Sequence, residues 1–365
     1  MLNFYSTNSL SWEQLEYGTN NMLNLHYGLI HVGLPTMVDL SKDILPAIKK
    51  GNEPKSFELC QDGDVAFADA SEDTNEVAKA IEFYNLENKT VVCGLHTIHG
   101  RDKSNKTVVG YKGYAFSSTA FHHQIRRIAQ GTKIYSISTK NFSECYIGIP
   151  SKDEQTKIAT LFRLLDERIA VQRGLIEEYK RLKAAISNKL FSSVRGNVVP
   201  LSDICEIVKG EQINGEFLTD KGKYYVMNGG TAPSGYYDKY NVEAGTISIS
   251  EGGNSCGFVN FNTKQFWSGG HCYTLKNISI NADENYLFHY LKSKENAIMK
   301  LRIGSGLPNI QKKDLAAFQV VLPPSQIQKT VTSTLSTLES KLQLEQSLEN
   351  ALQHRKTYLL SQMFI

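Results

Sequence analysis

Residues 148–162 read GIPSKDEQTKIATLF, and residues 321–335 read VLPPSQIQKTVTSTL, a second version of the same pattern. In each stretch a proline closes an apolar segment, and polar residues then open a pattern of helical spacing. With a fixed offset of 173 residues, 137–192 aligns without a gap onto 310–365. The identical pairs include Pro150/Pro323, Gln155/Gln328, Leu165/Leu338, Lys183/Lys356 and Phe191/Phe364. An internal repeat therefore governs the organisation of the chain.

Both copies of the repeat predict a long helix. In the first copy, Ser151 and Glu154 are expected to form a capping box directly after Pro150. Ten positions of the first copy are spaced alternately by four and three residues, and eight of them are apolar: 158, 162, 165, 169, 172, 176, 179, 183, 186 and 190. Seven of the ten equivalent positions in the second copy are apolar: 331, 335, 338, 342, 345, 349, 352, 356, 359 and 363. Val171, Leu175, Leu344 and Leu348 are expected to widen the stripe. About 40 residues make a rod of roughly 60 Å, and its stripe needs a helical partner.

Chain order predicts the direction of the two helices. The first leaves one globular domain and must end near the start of the next, whereas the second begins where that next domain ends. We therefore expect an α+β protein in which two globular domains are separated by two long antiparallel helices. The predicted segments are domain 1 at 1–148, the first helix at 149–195, domain 2 at 196–322 and the second helix at 323–365.

The globular halves echo one another more faintly. DGDVAFA (62–68) parallels AGTISIS (244–250), and GLH (94–96) parallels GGH (269–271). Alternating segments of this kind predict short strands. In each half a glycine lies 35 residues after the histidine, at Gly131 and Gly306, and helices are expected around 119–129 and 284–301. A repeated scaffold with divergent loops is what a reader of two different targets would need.

Composition indicates an ordinary globular protein, with 365 residues, 41% hydrophobic and 21% charged, and a formal net charge of +3. No apolar run approaches the roughly 18 residues that a spanning helix needs, and the N-terminus lacks the features of a signal peptide. The six cysteines are scattered without a CxxC pair or a metal-ligand spacing. They are interpreted as reduced, mostly buried thiols of a cytoplasmic protein, and no metal site is predicted.

Charge is distributed unevenly along the chain. From Glu53 to Glu87 ten acidic residues stand against two lysines. From Arg101 to Lys140 there are eight basic residues and one acid, and from Lys292 to Lys313 six basic residues and one acid. Basic stretches suit contact with phosphates, although a simple solvated face has the same composition.

Catalytic signatures are missing from the sequence. No GxxxxGK[ST] phosphate loop is present, and EGGNSCG (251–257) lacks the strand-to-helix context of a cofactor loop. LPPS (322–325) differs from the [ND]PP[YF] tetrapeptide of amino-methyltransferases at its first and last positions. HTIHGRD (96–102) and FHHQ (121–124) bring histidines together, as a metal nuclease would. Without an acidic partner pattern, structural or DNA-facing histidines are the favoured interpretation.

The order domain, long helix, domain, long helix resembles the specificity subunit of a Type I restriction–modification system. PSKDEQ and PPSQIQ at the helix starts carry the resemblance, with the helix endings YKRLKAAISNKLF and QHRKTYLLSQMF. GSGLPNIQKKDL (304–315) and ICEIVKG (204–210) also fit the family. Two positions depart from it: Ile327 replaces the first copy's Glu154, and HYG (26–28) stands where domain 2 has lysine–glycine.

The resemblance implies a non-catalytic subunit whose two target recognition domains read the two halves of an asymmetric, bipartite sequence in double-stranded DNA. The helices would set the gap between the half-sites and dock two modification subunits, which methylate adenine N6 with S-adenosylmethionine. Restriction subunits that use ATP and Mg²⁺ would complete the nuclease. This chain itself would bind no cofactor and no membrane.

Loop residues are the candidates for reaching base edges, because Asn, Ser, Thr and His offer donors and acceptors and carboxylates accept from cytosine. The acidic loop 68–79 is either such a reader or an ordinary solvated loop. Basic residues are better suited to phosphates, which position the duplex. The DNA-binding candidates are Asp69, Ser71, Thr74, Asn75, His96, Thr97, Arg101, Lys103, Arg126, Arg127, Lys133, Lys209, Asn228, Ser234, Tyr236, Ser250, Asn254, His271, Lys300, Arg302 and Lys312. The candidates for helix pairing or docking are Gln155, Ile158, Leu165, Ile169, Gln328, Val331, Leu338 and Leu342.

Two other classes of function fit the same sequence. One is a coiled-coil scaffold that holds two small protein-binding domains, which a gel-shift assay with DNA would distinguish. The other is an enzyme without a recognisable motif, which activity of the purified chain alone would reveal.

Overall fold

A computed structural model describes residues 1–19, 21–304, 306 and 308–364 of the chain. The chain divides into two compact units, which we call unit 1 (Met1–Gly174 with Ser347–Ile365) and unit 2 (Leu175–Gln346). Ser305 and Leu307, in the GSGLPNIQKKDL stretch, lie outside the described residues. Within the described ranges, no helix combines the length and apolar character that crossing a membrane requires.

Unit 1 is built mainly from short strands. Its strands are β1 (Asn3–Tyr5), β2 (Leu15–Glu16), β3 (Leu23–Leu25), β4 (Met37–Asp39), β5 (Ala47–Ile48), β6 (Val65–Ala68), β7 (Ala70–Ser71), β8 (Ala80–Asn85), β9 (Val91–Cys93), β10 (Thr97–Arg101) and β11 (Tyr135–Ser136). Its short helices are α1 (Tyr27–His31), α2 (Lys112–Phe116), α3 (Thr119–Ile128) and α4 (Thr139–Phe142).

Unit 2 has the same mixed character. Two long helices, α5 (Lys152–Ser193) and α9 (Ser325–Gln362), contribute residues to both units. The strands of unit 2 are β12 (Asn197–Pro200), β13 (Glu206–Lys209), β14 (Tyr224–Met227), β15 (Gly235–Tyr237), β16 (Thr246–Ser250), β17 (Val259–Asn262), β18 (Phe266–Ser268), β19 (Cys272–Lys276) and β20 (Gln319–Leu322). Its own helices are α6 (Glu284–Ser293), α7 (Glu295–Met299) and α8 (Lys312–Ala316).

The central sheets of the two units share one strand order. Unit 1 has β1-β10-β6-β8, with β4 added at the β8 edge, and unit 2 has β13-β19-β16-β17. These four strands are antiparallel to their neighbours in both units. The turns before β6 and β16 are also alike, since Gly63 and Gly245 have φ angles of 86° and 84°. That left-handed conformation is one that glycine adopts without a steric cost.

A parallel strand pair accompanies each central sheet, β3 with β9 in unit 1 and β14 with β18 in unit 2. A glycine directly follows β9 and β18, and its N–H donates to the last residue of the neighbouring strand: Gly94 to Leu25 at 2.8 Å, Gly269 to Met227 at 2.9 Å. The predicted parallel between GLH and GGH is therefore confirmed.

The predicted match between HYG (26–28) and the lysine–glycine at 209–210 is wrong. β13, which ends at Lys209, pairs with β19, and the strand at that sheet edge in unit 1 is β1. The HYG segment instead follows β3 and begins α1, where Nδ1 of His26 accepts from Gly28 N at 3.1 Å. Sequence spacing alone could not reveal this, because the loops around the strand differ in length.

The two long helices run antiparallel within each unit. In unit 1, Lys356 Nζ lies 2.5 Å from Asp166 Oδ1, and Arg173 Nε lies 2.7 Å from Glu349 Oε1. In unit 2, Lys183 is bonded to Glu339, and Lys341 Nζ lies 5.8 Å from the centre of the Tyr179 ring. In both units the residue numbers rise along one helix as they fall along the other. The two lysine–carboxylate pairs, Lys183–Glu339 and Lys356–Asp166, are equivalents under the 173-residue repeat.

The helical stripe predicted from the spacing is confirmed. All twenty of its positions are buried or half-buried, and so is Leu175. The predicted widening is wrong at three positions, since Val171, Leu344 and Leu348 are 55%, 66% and 40% exposed. The contact between two helices is narrow, so these apolar residues lie outside it.

The start of α5 is closed by the predicted capping box. Ser151 N donates to Glu154 Oε2 at 3.1 Å, and Glu154 N donates to Ser151 Oγ at 3.4 Å.

Aromatic residues attach the long helices to the rest of each unit. Phe162 and Phe364 pack with Tyr111 and Tyr114 in unit 1. Phe191 packs with Tyr286 and Tyr290 in unit 2.

Candidate nucleic-acid interface

Each unit carries a carboxylate–histidine pair at the same corner of its central sheet. Asp69 directly follows β6 and His96 directly precedes β10, just as Glu251 follows β16 and His271 precedes β19. The backbone bonds match: Asp69 N donates to His96 O at 3.1 Å, and Glu251 N donates to His271 O at 2.9 Å. The side chains also meet, with Nδ1 of His96 3.1 Å from Asp69 Oδ1 and Nδ1 of His271 3.5 Å from Glu251 Oε2.

Both imidazoles are more exposed to solvent than the carboxylates beside them. The His side chains are 50% and 61% exposed, in contrast to 31% for Asp69 and 10% for Glu251. When a carboxylate accepts from Nδ1–H, the neutral ring presents Nε2 as a bare acceptor, and a protonated ring presents it as a donor. In unit 1 the hydrogen bond to Asp69 therefore orients the imidazole edge that His96 offers to an external group. In unit 2 the His271 ring lies beside Glu251, and no hydrogen bond between these two side chains is described.

In unit 1 the surrounding residues fix His96 in place. His96 has a φ of 54°, and its ring meets that of Tyr27 edge-on at 5.2 Å. A non-glycine residue in the left-handed region is uncommon and is found where the surroundings enforce it.

In unit 2 the Glu251 carboxylate accepts hydrogen bonds from two side chains. Glu251 Oε1 accepts from Lys209 Nζ at 2.6 Å and from the Tyr273 hydroxyl at 3.2 Å. Burial, with the charge of Glu251 beside it, raises the pKa of Tyr273 to about 12. Main-chain N–H of His271 donates to Asn228 Oδ1 at 3.0 Å. Three predicted candidates, Lys209, Asn228 and His271, thus meet around Glu251.

Neighbouring loops complete the corner of unit 2. The Ser250 hydroxyl donates to Gly229 O at 2.7 Å, and Gly253 N donates to Pro308 O at 3.0 Å. These bonds join the loops after β14 and β16 to the segment that precedes α8. Asn254, Lys300, Arg302 and Lys312 are exposed. Ser234 is exposed and Tyr236 half-buried, both in the loop-and-strand region around β15.

The acidic loop of unit 1 is joined to the basic helix α3. Arg126 donates to Asn75 Oδ1 at 2.7 Å, and Asn75 Nδ2 donates to Asp73 Oδ1 at 2.9 Å. Ser71 Oγ accepts from Asp73 N at 3.1 Å, and Thr74 is half-buried. Arg127, Lys133 and Lys103 are exposed; Lys103 lies over the ring of Tyr5 at 5.3 Å.

Three predicted candidates are committed to internal contacts. The Thr97 side chain is buried and its hydroxyl donates to Gly94 O at 2.6 Å, and Ser250 is also buried. The Arg101 guanidinium binds Asp64 and Glu58, and the hydrogen bond with Asp64 raises its pKa above the usual value. Alternating side chains of a strand point to opposite faces, but the sequence does not say which face a neighbouring segment covers.

The pairing candidates on the helices divide into two groups. Ile158, Leu165, Ile169, Val331, Leu338 and Leu342 are buried or half-buried on the helical stripe. Gln155 and Gln328 instead bind the main chain of their own units. Gln155 Oε1 accepts from Val108 N at 2.9 Å, and its Nε2 donates to Lys106 O and Pro150 O at 3.0 and 2.8 Å.

Gln328 repeats that arrangement in unit 2. Its Oε1 accepts from Asp283 N at 2.7 Å, and its Nε2 donates to Asn281 O and Pro323 O at 2.9 and 2.8 Å. Both glutamines are fully buried, at 0% and 1% exposure. Each one ties the first turn of a long helix to the globular part of its unit, so we call them the helix-start glutamines.

Glu251, Tyr27 and Tyr273 were absent from the candidates drawn from sequence. The repeat itself held the signal for Glu251, because Asp69 follows DGDVAFA just as Glu251 follows AGTISIS. The two tyrosines carried no comparable signal, since only the fold brings their rings to these corners.

Proteins of known family and structure resemble this chain in sequence and in fold. The family model for the Type I restriction modification DNA specificity domain matches residues 40–181 and again residues 195–354. A Mycoplasma genitalium protein described as a type I specificity subunit is 31% identical over 157 residues, 42% of this chain and 41% of that protein. A Mycoplasma pneumoniae protein described in the same way is 34% identical over 145 residues, 39% of this chain and 38% of that protein. The matched region thus spans about two fifths of the length of these relatives.

Solved structures show the same fold. The crystal structure of a Type I restriction–modification S subunit from M. genitalium matches with a TM-score of 0.59 and 18% identity, over 100% of this chain and 94% of that one. A chain from a structural study of complex assembly and conformational transition in the type I R-M system matches with a TM-score of 0.57 and 18% identity, over 91% of this chain and 95% of that one.

The two matches to the family model thus define a protein with two DNA specificity domains. The match to the family model covers most of the chain, in two copies. The chain belongs to the family of Type I restriction–modification specificity subunits.

Proposed function

We propose that this chain is the non-catalytic DNA-recognition subunit of a Type I restriction–modification complex. Residues 1–148 and 196–322 act as target recognition domains, and each reads one half of a bipartite, asymmetric site in double-stranded DNA. The helical segments 149–195 and 323–365 set the distance between the half-sites and dock two modification subunits. The carboxylate–histidine pair that recurs at one corner of both units is the observation that carries this proposal.

The repeated corner supports two readers with different targets. The carboxylate–histidine pair has the same main-chain hydrogen bond in each unit, but its surroundings differ: a tyrosine and an acidic loop in unit 1, a lysine and a buried glutamate in unit 2. Hydrogen-bonding groups at base edges distinguish the base pairs, so different surroundings select different sequences. Exposed cations of each unit, such as Arg127 and Lys312, supply contacts to phosphates, which add affinity without reading sequence.

The partners follow from the same proposal. Exposed apolar side chains on the long helices, among them Val171 and Leu344, provide contact area for the two modification subunits. S-adenosylmethionine would bind to those subunits, which methylate adenine N6, and ATP with Mg²⁺ to the restriction subunits. The chain works in the cytoplasm, where its cysteines stay reduced.

Substitution of the two histidines tests the proposal. In the complex with its modification subunits, His271→Ala is expected to relax base preference in one half-site, and His96→Ala in the other. One good base contact contributes about 1–3 kcal/mol of discrimination, so we expect preference at the affected position to fall roughly tenfold. Sequencing of methylated adenines in a host carrying each variant gives the readout.

The exposed Lys264→Ala in unit 2 is the matched control and should leave both half-sites unchanged. Relaxation of both half-sites by one histidine variant, or of neither by both variants, would contradict the assignment of one reader to each unit.

A further inference from the structure

Two cysteines and a histidine meet in the interior of unit 1. Cys60 precedes β6, Cys93 ends β9 and His99 lies in the middle of β10. One potential ligand atom from each lies within 4.8 Å of the others, and the two Sγ atoms are 3.6 Å apart. Their exposures are 6%, 2% and 0%. Both thiols are free and buried, as the sequence predicts, but their proximity was not predictable, because strand pairing brings together residues that have no motif spacing.

His99 is oriented as a ligand would be. Its Nε2 lies 2.8 Å from Asp64 Oδ2, so Nε2–H donates to the carboxylate. Asp64 is held in turn by two hydrogen bonds from Arg101, each 2.8 Å long. In this tautomer Nδ1 carries a free lone pair, and within the described residues it is buried without a hydrogen-bond partner. A carboxylate that accepts from the second ring nitrogen is the usual outer partner of a metal-binding histidine.

The unpartnered nitrogen is the observation that points to a ligand. A buried polar atom without a hydrogen bond costs about 1–3 kcal/mol, so native structures rarely leave one unused. Tyr5 adds a second such atom, since its hydroxyl is buried without a described partner and its ring centre lies 5.2 Å from that of His99. The unpartnered nitrogen belongs to the same histidine that the two thiols approach.

Charge and geometry select the kind of ligand. Two thiolates balance one divalent cation, and the Asp64 carboxylate is already balanced by Arg101. A site with no net charge avoids the large cost of burying an isolated charge. Bonds of 2.3 Å from a tetrahedral zinc ion would hold two sulfurs roughly 3.8 Å apart, close to the separation in this structure. Thiolate and imidazole ligands favour zinc over magnesium or calcium.

We propose that Cys60, Cys93 and His99 bind a Zn²⁺ ion, through two thiolates and the Nδ1 atom of the imidazole, with a water molecule as the fourth ligand of the tetrahedron. Binding releases the two thiol protons to solvent, and no electron is transferred. The ion joins β9 and β10, which belong to different sheets of unit 1. Because His96 lies on the link between these strands, the ion also holds that corner of the unit.

Metal content tests the site on the full-length chain. After reduction, incubation with Zn²⁺ and removal of free metal, we expect about one zinc per chain by elemental analysis. Cys60→Ser and Cys93→Ser should each lose most of this zinc, and Cys145→Ser, a half-buried thiol of the same unit, should retain it. Circular dichroism verifies that each variant is folded.

Cobalt gives a second, spectroscopic readout of the same site. Co²⁺ bound by thiolates has a charge-transfer absorption in the near ultraviolet, which we expect from the unsubstituted chain and from Cys145→Ser. The proposal would be overturned by an unsubstituted chain that retains no zinc and shows no such band. Equal loss of metal in all three serine variants would also overturn it, as would a Cys60–Cys93 disulfide found by mass spectrometry in protein prepared under reducing conditions.

Discussion

Removing a helix-start glutamine should destabilise the unit to which it belongs. In Gln328→Ala, the main-chain N–H of Asp283 and the carbonyls of Asn281 and Pro323 lose their partner. The site is 1% exposed, so water does not replace the amide without rearrangement. At about 1 kcal/mol for each of the three hydrogen bonds, the free energy of unfolding of unit 2 should fall by roughly 3 kcal/mol.

The internal repeat makes the prediction quantitative. Gln155→Ala removes three bonds of the same kind from unit 1, so its cost should equal that of Gln328→Ala within about 1 kcal/mol. Gln328→Met keeps most of the side-chain volume but no hydrogen-bonding group, and it should therefore be no more stable than Gln328→Ala. The exposed neighbour Gln326 provides the control, and Gln326→Ala should change stability by less than about 0.5 kcal/mol.

Urea unfolding with tryptophan fluorescence separates the two units, because the two tryptophans of the chain, Trp12 and Trp267, fall one in each unit. In a Trp12→Phe background, Trp267 reports unit 2, and in a Trp267→Phe background Trp12 reports unit 1. Recovery of full stability in Gln328→Met would show that volume rather than hydrogen bonding matters. A loss below about 1 kcal/mol in both alanine variants would refute the reasoning from buried, satisfied amides.

Two further predictions concern DNA binding and spacing. Replacing Arg126 and Arg127 together by Ala should weaken binding to all DNA sequences about equally and flatten its dependence on salt, because phosphate contacts release counterions. If the salt slope in a filter-binding titration is unchanged, the two arginines do not contact phosphates. Inserting four residues, about one helical turn, after both Gln172 and Glu345 should lengthen the gap between half-sites. Sequencing of methylated adenines measures the gap, and the original spacing would refute the role of the helices as a spacer.

The repeat was visible in the sequence because helices impose a regular spacing on their apolar residues. The stripe beginning at Ile158 and Val331 predicted two long helices, and chain order predicted that they run in opposite directions. The ion pairs Lys356–Asp166 and Lys183–Glu339 confirm that direction within the units. The limits of the stripe were not predictable, because apolar Val171 and Leu344 fit the same helical pattern but lie outside the contact.

The strands were predicted less completely than the helices. The alternation in DGDVAFA and AGTISIS predicted β6 and β16, but the edge position of β1 depended on which short segment paired with β10. Pairing between strands is a long-range choice that local spacing does not encode. For the same reason the sequence linked GLH to GGH but did not show that Asp69 and Glu251 contact those histidines.

The sequence by itself determined the duplication, the two long helices and the family, because all three depend on the order of the residues and on the spacing of the apolar ones. Only the tertiary structure decided which side chains are available. It turned Arg101 inward to Asp64, set His96 and His271 at equivalent corners, and gathered Cys60, Cys93 and His99 at one buried point. The physical reason is that exposure and side-chain contacts depend on segments far apart in the chain, whose pairing is set by the packing of the whole unit.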